Sequence, residues 1–309
     1  MKTDTKERRL RHAGRQPLGR KILLTSQRLA LFEVLQRHGT LPTNYLHAFA
    51  GGNHNSLQLA LTNSYNESNN PHGAPYLERP WQQFQSLNAR YQPVIYELTD
   101  TGRLALSDHG KLDKYAQPIT GHYIHRFMTA CITASLELAA TEAGFRFISQ
   151  EEIFKHDKCP ESTRQAKNPL ELPALMSTLI PDQLFGIEYQ GKFRFYALEA
   201  DRNHETIASK ELVKNSYGRK IKGYSEIFSN KIYRTVWGIP NLRVLTVTTN
   251  TSHMHSMIAY AKENTLDASP FLFACKSEFG RDWKVPGLLK DLFCEPWLTT
   301  ADPYYINRA

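Results

Sequence analysis

The sequence is most informative at first for what it lacks. No apolar run approaches the ~20 residues that a membrane-spanning helix needs. The basic N-terminus has no apolar core of the kind a secretory signal carries, so export is not expected. Cysteine is scarce: Cys131, Cys159, Cys275 and Cys294 are far apart and no Cys-x-x-Cys pair occurs. That usage suits a reducing cytoplasm and argues against a disulfide framework or a cysteine zinc site. There is no GxGxxG, no GxxxxGK[ST] and no GxSxG, which leaves nucleotide-binding enzymes and serine hydrolases of those kinds without a motif. No internal repeat is present. His122-x-x-His125 and His253-x-His255 lack a third ligand at defined spacing, and packed or surface histidines are commoner than metal ligands in such pairs.

What is present is positive charge and ample apolar content. The 309 residues carry a formal charge of +8, enough length for two domains and enough aliphatic and aromatic content for their cores. A basic balance points to an anionic partner, most simply nucleic acid. Residues 1–21 hold Lys2, Lys6, Arg8, Arg9, Arg11, Arg15, Arg20 and Lys21 against Asp4 and Glu7, a net +6 with little apolar content. This tail is expected to be disordered when free and to lie along phosphates or in a groove.

From Thr25 the pattern becomes helical. Thr25-Ser26 caps a helix to about His38, a second runs from Thr43 to Phe49, and a third from Asn55 to Tyr65. That order is the order of a helix-turn-helix, with Asn55, Gln58 and Thr62 on the third helix as candidate base readers. Tyr76–Pro80 and Pro93–Leu98 are strand candidates that would form a wing, with Arg79 and Arg90 as further DNA contacts. A winged helix over 22–106 follows, then a polar linker over 107–121 containing Pro118 and Gly121.

The second half opens with a helix from Tyr123 to Ala143 and a strand at Phe145–Ser149. Residues 151–173 are charged and irregular and read as a mobile loop. Two strands, 179–189 and 193–201, then carry acids near their ends: Asp182 in one, Glu199 and Asp201 in the other. Unpaired carboxylates are costly to bury, and a divalent cation held by hard oxygens would relieve that cost. A hairpin through Tyr189–Lys192 would bring Asp182 and Glu199 together, and Glu199 and Asp201 share a face. A basic helix over 209–229 follows. Its apolar stripe is Val213, Tyr217, Ile221, Tyr224 and Phe228. Lys220 falls at the edge of that stripe and Lys210 within it, while Arg219 and Lys222 face away. Lys210, Lys214 and Lys222 are candidate phosphate contacts. A strand from Leu242, a helix over 252–262 and a strand at Phe271–Cys275 complete the pattern, giving an α/β chain that is α+β overall.

Pro181-Asp182 followed by Glu199-Ala200-Asp201 resembles the PD-(D/E)xK nuclease pattern, and Lys220-x-x-x-Tyr224 lies where some members carry a functional helix. More narrowly, the stretch is similar to the replication-relaxation family of plasmid and mobile-element proteins. That resemblance spans roughly Leu24 to Leu298. It implies a winged helix joined to a restriction-endonuclease-like α-β-β-β-α-β domain over 122–309. It further implies Mg²⁺ or Mn²⁺ on Asp182 and Glu199, with Glu137 as an added ligand. Asp182, Glu199, Asp201 and Lys220 become the catalytic set, with Tyr224 beside them, and a cytoplasmic homodimer on DNA the working form. The chain departs from the pattern at Asp201, where the family carries lysine. Either Lys220 or Lys210 supplies that charge from the helix, or the domain is a non-catalytic module of a DNA-binding regulator.

Overall fold

A computed structural model describes residues 14–67, 69, 74–85, 91–116, 121–174, 177–202 and 217–308. The tail up to residue 13, Arg90, Lys210, Val213 and Lys214 lie outside the described residues. The chain is mixed α/β, consistent with α+β. It divides into two compact units, Met1–Ala134 with Lys284–Leu288, and Ser135–Trp283 with Leu289–Ala309. Among the described residues no helix is long and apolar enough to cross a membrane.

In the first unit, α1 (Ser26–His38) starts where the Thr25 hydroxyl accepts from the Arg28 N–H at 3.3 Å, which satisfies one of the orphan donors of the first turn. β1 (Leu41–Pro42), α2 (Thr43–Ala50) and α3 (His54–Asn66) follow, then β2 (Leu77–Glu78), β3 (Ile95–Leu98) and α4 (Asp100–Asp108). β3 lies between β1 and β2, antiparallel to both. Phe32, Leu35, Tyr45, Leu46, Leu61 and Ile95 are buried between helices and sheet. The expected free arm differs from Gly14 onward. The Gln16 N–H donates to Asn66 Oδ1 at 3.0 Å and the Ile22 N–H to Asn69 Oδ1 at 2.7 Å. Arg15 pairs with Glu78 and stacks over the Tyr65 ring. Arg15 is thus used locally, a role that composition does not reveal.

The long helix α5 (Tyr123–Glu142) contains the division between the units. In the second unit come β4 (Arg146–Ile148), α6 (Gln150–Lys155), α7 (Glu161–Arg164), β5 (Leu172–Ala174), β6 (Ser177–Leu179), β7 (Gln183–Tyr189) and β8 (Lys192–Asp201). Then follow α8 (Tyr217–Ser229), α9 (Ile232–Trp237), β9 (Arg243–Thr248), α10 (Thr251–Asn264), β10 (Phe271–Cys275) and α11 (Asp291–Cys294). The stretch read as an irregular loop over 151–173 therefore contains two short helices. The first is capped by the Ser149 hydroxyl, which accepts from the Glu152 N–H at 3.3 Å; high charge hid it.

The main sheet runs β10-β9-β8-β7-β4. β4, β7 and β8 form an antiparallel meander, and β8, β9 and β10 run parallel. β7 and β8 close through Gln190 and Gly191, both at positive φ (50° and 85°), as the tightest hairpin turns require. The parallel step from β8 to β9 needs a long crossover, and α8 and α9 lie within it.

Gly238 closes α9 in the left-handed region at φ 71°, and a Cβ there would stand 2.0 Å from the Lys158 carbonyl oxygen. Both neighbours in that clash are backbone. Gly238→Ala is expected to cost about 3 kcal/mol or more, read as a fall in denaturant midpoint.

Candidate active site

The site grows from the β7–β8 pair. Gln183 pairs with Leu198. One step beyond, the Asp182 N–H donates to the Leu198 carbonyl at 3.0 Å, and the Ala200 N–H donates to Asp182 Oδ2 at 2.7 Å. Asp182 is thereby fixed beside Glu199. Glu199 and Asp201 are both buried at the end of β8, with Thr246 and Thr248 of β9 as their register partners.

α8 closes over these groups. Tyr217, Ile221 and Tyr224 are buried on its inner face, as its periodicity requires. Tyr224 Oη donates to Glu199 Oε1 at 2.5 Å, and Lys220 Nζ lies 3.0 Å from Glu199 Oε2. Glu199 Oε2 is buried, and the Lys220 ammonium meets it as an ion pair. Tyr217 Oη and Thr246 Oγ1 share a hydrogen bond of 2.7 Å. Next to this group, His253 of α10 contacts Asp201 Oδ2 through Nε2 at 3.0 Å. Thr248 Oγ1, also buried, has no hydrogen-bond partner among the described residues.

Burial pushes the Glu199 carboxyl up to about 7 from its ordinary 4.5; the Lys220 ammonium pulls it back, the Asp182 charge raises it further and the Tyr224 hydroxyl lowers it. Tyr224 itself is pushed well above its usual value by burial and by the Glu199 charge, so it stays a donor. A carboxyl whose folded pKa exceeds its unfolded one contributes stability that is complete below the unfolded value and is lost as pH rises through the folded value. In metal-free protein the contribution of Glu199 therefore declines between pH 4.5 and about 7. At about 1.4 kcal/mol per pKa unit the decline is on the order of 3 kcal/mol. Glu199→Gln should remove it, and melting curves of both proteins in EDTA across pH 4 to 8 (the range spanning both values) test this.

The residues fit a divalent cation in one respect and supply little beyond it. Asp182 and Glu199 offer hard oxygens, of which Glu199 Oε2 meets the Lys220 ammonium and Asp182 Oδ2 accepts from the Ala200 N–H. Among the described residues, no group of three His, Cys, Asp or Glu side chains stands close enough to hold a metal by itself. Glu137, half-buried on α5, does not complete such a group. Mg²⁺ commonly takes one or two carboxylates and leaves its other positions to water and substrate phosphate.

The remaining sequence candidates fall in several places. Lys222 is exposed on the outer side of α8. In the first unit, Asn55 and Gln58 are exposed on α3. Arg79 is 7% exposed, with its Nη2 donating to Thr62 Oγ1 at 3.1 Å and to Tyr96 Oη at 2.8 Å. Arg79 and Thr62 are thus engaged with each other inside the unit rather than standing on its surface. Sequence reasoning missed Thr246, Thr248 and the pairing of His253 with Asp201. The two threonines repeat at the spacing of Glu199 and Asp201, which was the available signal; nothing local joins His253 to an acid 52 residues away. Comparisons of the chain with models of protein families, with curated proteins and with solved structures give no match.

Proposed function

We propose that the chain binds double-stranded DNA through its first unit and that its second unit is a PD-(D/E)xK-type phosphodiesterase. In this reading the lysine of the site comes from α8 instead of from the strand. The observation that carries it is Lys220 Nζ at 3.0 Å from Glu199 Oε2, on the strand pair that also fixes Asp182. The antiparallel meander continued by parallel strands across helical crossovers supports the fold half of the reading. Helices α1, α2 and α3 with the small antiparallel sheet support the winged helix. The kinship to replication-relaxation proteins, a cytoplasmic location and a homodimer belong to the same proposal.

The chemistry divides among the residues. Asp182 and Glu199 would hold Mg²⁺ or Mn²⁺, which when bound supplies charge neutralisation at the phosphate and a more acidic water. Lys220, its side chain 26% exposed, can turn its ammonium from Glu199 to a phosphoryl oxygen and stabilise the charge that develops there. Tyr224 holds Glu199 Oε1 and so orients the carboxylate. The outward lysine, Lys222, would meet backbone phosphate.

A second reading has one observation in its favour. Asp201 stands where the resembled pattern has lysine, and it is already bonded to His253. That arrangement suits a non-catalytic DNA-binding regulator. Plasmid nicking with Mg²⁺ or Mn²⁺ separates the two, alongside duplex binding across a salt series. Both readings require log K to fall by about 0.9 per phosphate neutralised as log salt rises, and removal of residues 1–13 to flatten that slope. Salt-independent affinity, or none, contradicts both; binding without nicking favours the regulator.

A further inference from the structure

The first unit contains a cavity of about 550 Å³, within the size range of small-molecule sites. One wall is the polar face of α3, where His54, Gln58, Thr62 and Asn66 recur every four residues. Gln58 and Thr62, two of the three candidate base readers on this helix, line the cavity. His54 and Gln58 are exposed at the mouth, while Thr62 and Asn66 are half-buried toward the floor, which Arg79 and Tyr96 complete. The guanidinium of Arg79 lies 4.2 Å from the Tyr65 ring centroid and is held by Thr62 and Tyr96, giving the floor a fixed positive charge. Opposite α3, Phe84 and Tyr91 supply rings, Tyr91 being 72% exposed.

Side-chain amides recur in the wall, among them Asn44, Gln58, Asn66 and Gln92. Asn44 uses its Nδ2 on the Pro286 carbonyl at 3.3 Å, while its buried Oδ1 has no hydrogen-bond partner among the described residues. Gln92 accepts from the Val285 N–H at 2.7 Å through Oε1, which leaves its amide donors. No acid lines the cavity among the described residues.

Rings for stacking, amides that both donate and accept, a cationic floor and the lack of carboxylates match one ligand chemistry: a nucleobase on a phosphate-bearing strand. A base pair in a duplex is flanked by its stacked neighbours and cannot turn into a hollow of this size. A single base turned out of the stack can, at a cost that is smallest where the base is already unpaired. We propose that this cavity receives one unpaired nucleobase of a bound DNA, so that the first unit selects duplexes with a bulged, mismatched or frayed nucleotide. The proposal rests on the DNA-binding reading and adds the structural feature that is recognised.

The test uses the full chain in EDTA and fluorescence anisotropy on three duplexes of equal length. One is fully paired, one carries a single-base bulge, and one carries the same bulge without its base. The bulge with its base should bind about tenfold more tightly than either other duplex, the range of one good base contact. Tyr91→Ala and Asn44→Ala should each erase that preference and leave affinity for the paired duplex unchanged, while Tyr91→Phe should keep it. Melting curves confirm that each variant is folded. Equal affinity for bulges with and without the base overturns the proposal, because the protein would then sense bending alone. Survival of the preference in the Tyr91→Ala, Asn44→Ala double variant overturns it too. Paired-duplex binding with no bulge preference overturns this proposal and spares the DNA reading; no DNA affinity overturns both. Free nucleoside monophosphates should compete only for the bulged duplex. If they bind the cavity while the bulge gains nothing, the ligand is a soluble nucleotide and the strand-borne assignment fails.

Discussion

Lys220→Ala is expected to lower metal-dependent nicking of supercoiled plasmid by about 10²–10³-fold, the cost of removing one preorganised charge partner of the transition state. Duplex affinity should stay that of the parent protein, because the lysine faces Glu199 inside the site instead of the outer surface of α8. Two further readouts separate this from loss of fold. The Lys220 ammonium is the main influence pulling the Glu199 carboxyl down, so the variant should carry a still higher Glu199 pKa. The pH dependence of its stability then shifts upward. Lys220→Arg keeps the positive charge and should retain part of the activity with a pH profile near that of the parent. A variant that loses rate only in proportion to its lost folded fraction would assign Lys220 a structural role.

The second large effect concerns the carboxylates. Mg²⁺ or Mn²⁺ should raise the melting temperature of the parent protein, since an ion that binds the folded state alone stabilises it by linkage, about 2.7 kcal/mol at a hundredfold excess over Kd. Asp182→Ala should abolish that rise. Its oxygen Oδ2 accepts from the Ala200 N–H, so some stability is lost without metal as well, about 1 kcal/mol for a hydrogen bond of this kind. Lys220→Ala should keep the metal-induced rise, because an ammonium is not a ligand. The two variants therefore part company: one loses metal binding, the other loses chemistry with metal still bound. No metal-induced rise in the parent would make Asp182 and Glu199 structural and favour the regulator.

The sequence foretold most of this arrangement where local rules decide the outcome. Gln190-Gly191 between two apolar runs specifies the tight hairpin, and that hairpin sets Asp182 beside Glu199. The 3.6-residue period turns Tyr217, Ile221 and Tyr224 inward and leaves Lys220 at the edge of the stripe, where it reaches Glu199. What stayed hidden depends on contacts distant along the chain. Asp201 and His253 meet only because α10 packs on the sheet. Arg79 reads as a surface cation, yet the rings of Tyr65 and Tyr96 and the Thr62 hydroxyl make an interior position affordable. Residues 14–22 have a disordered composition, but α3 and the loop after it present side-chain oxygens that tie them down. A periodic polar face on α3 is the same in sequence whether it fronts a groove of DNA or a cavity of the protein itself.

A crystal of the protein with uncleaved DNA, grown in Mn²⁺ and examined at a wavelength where manganese scatters anomalously, tests the central claim most directly. The account predicts one anomalous peak beside the carboxylates of Asp182 and Glu199, with the Lys220 ammonium turned from Glu199 to an oxygen of the adjacent phosphate. An Asp182–Glu199 pair with no anomalous peak, and Lys220 still on Glu199 while DNA is bound elsewhere, would contradict it.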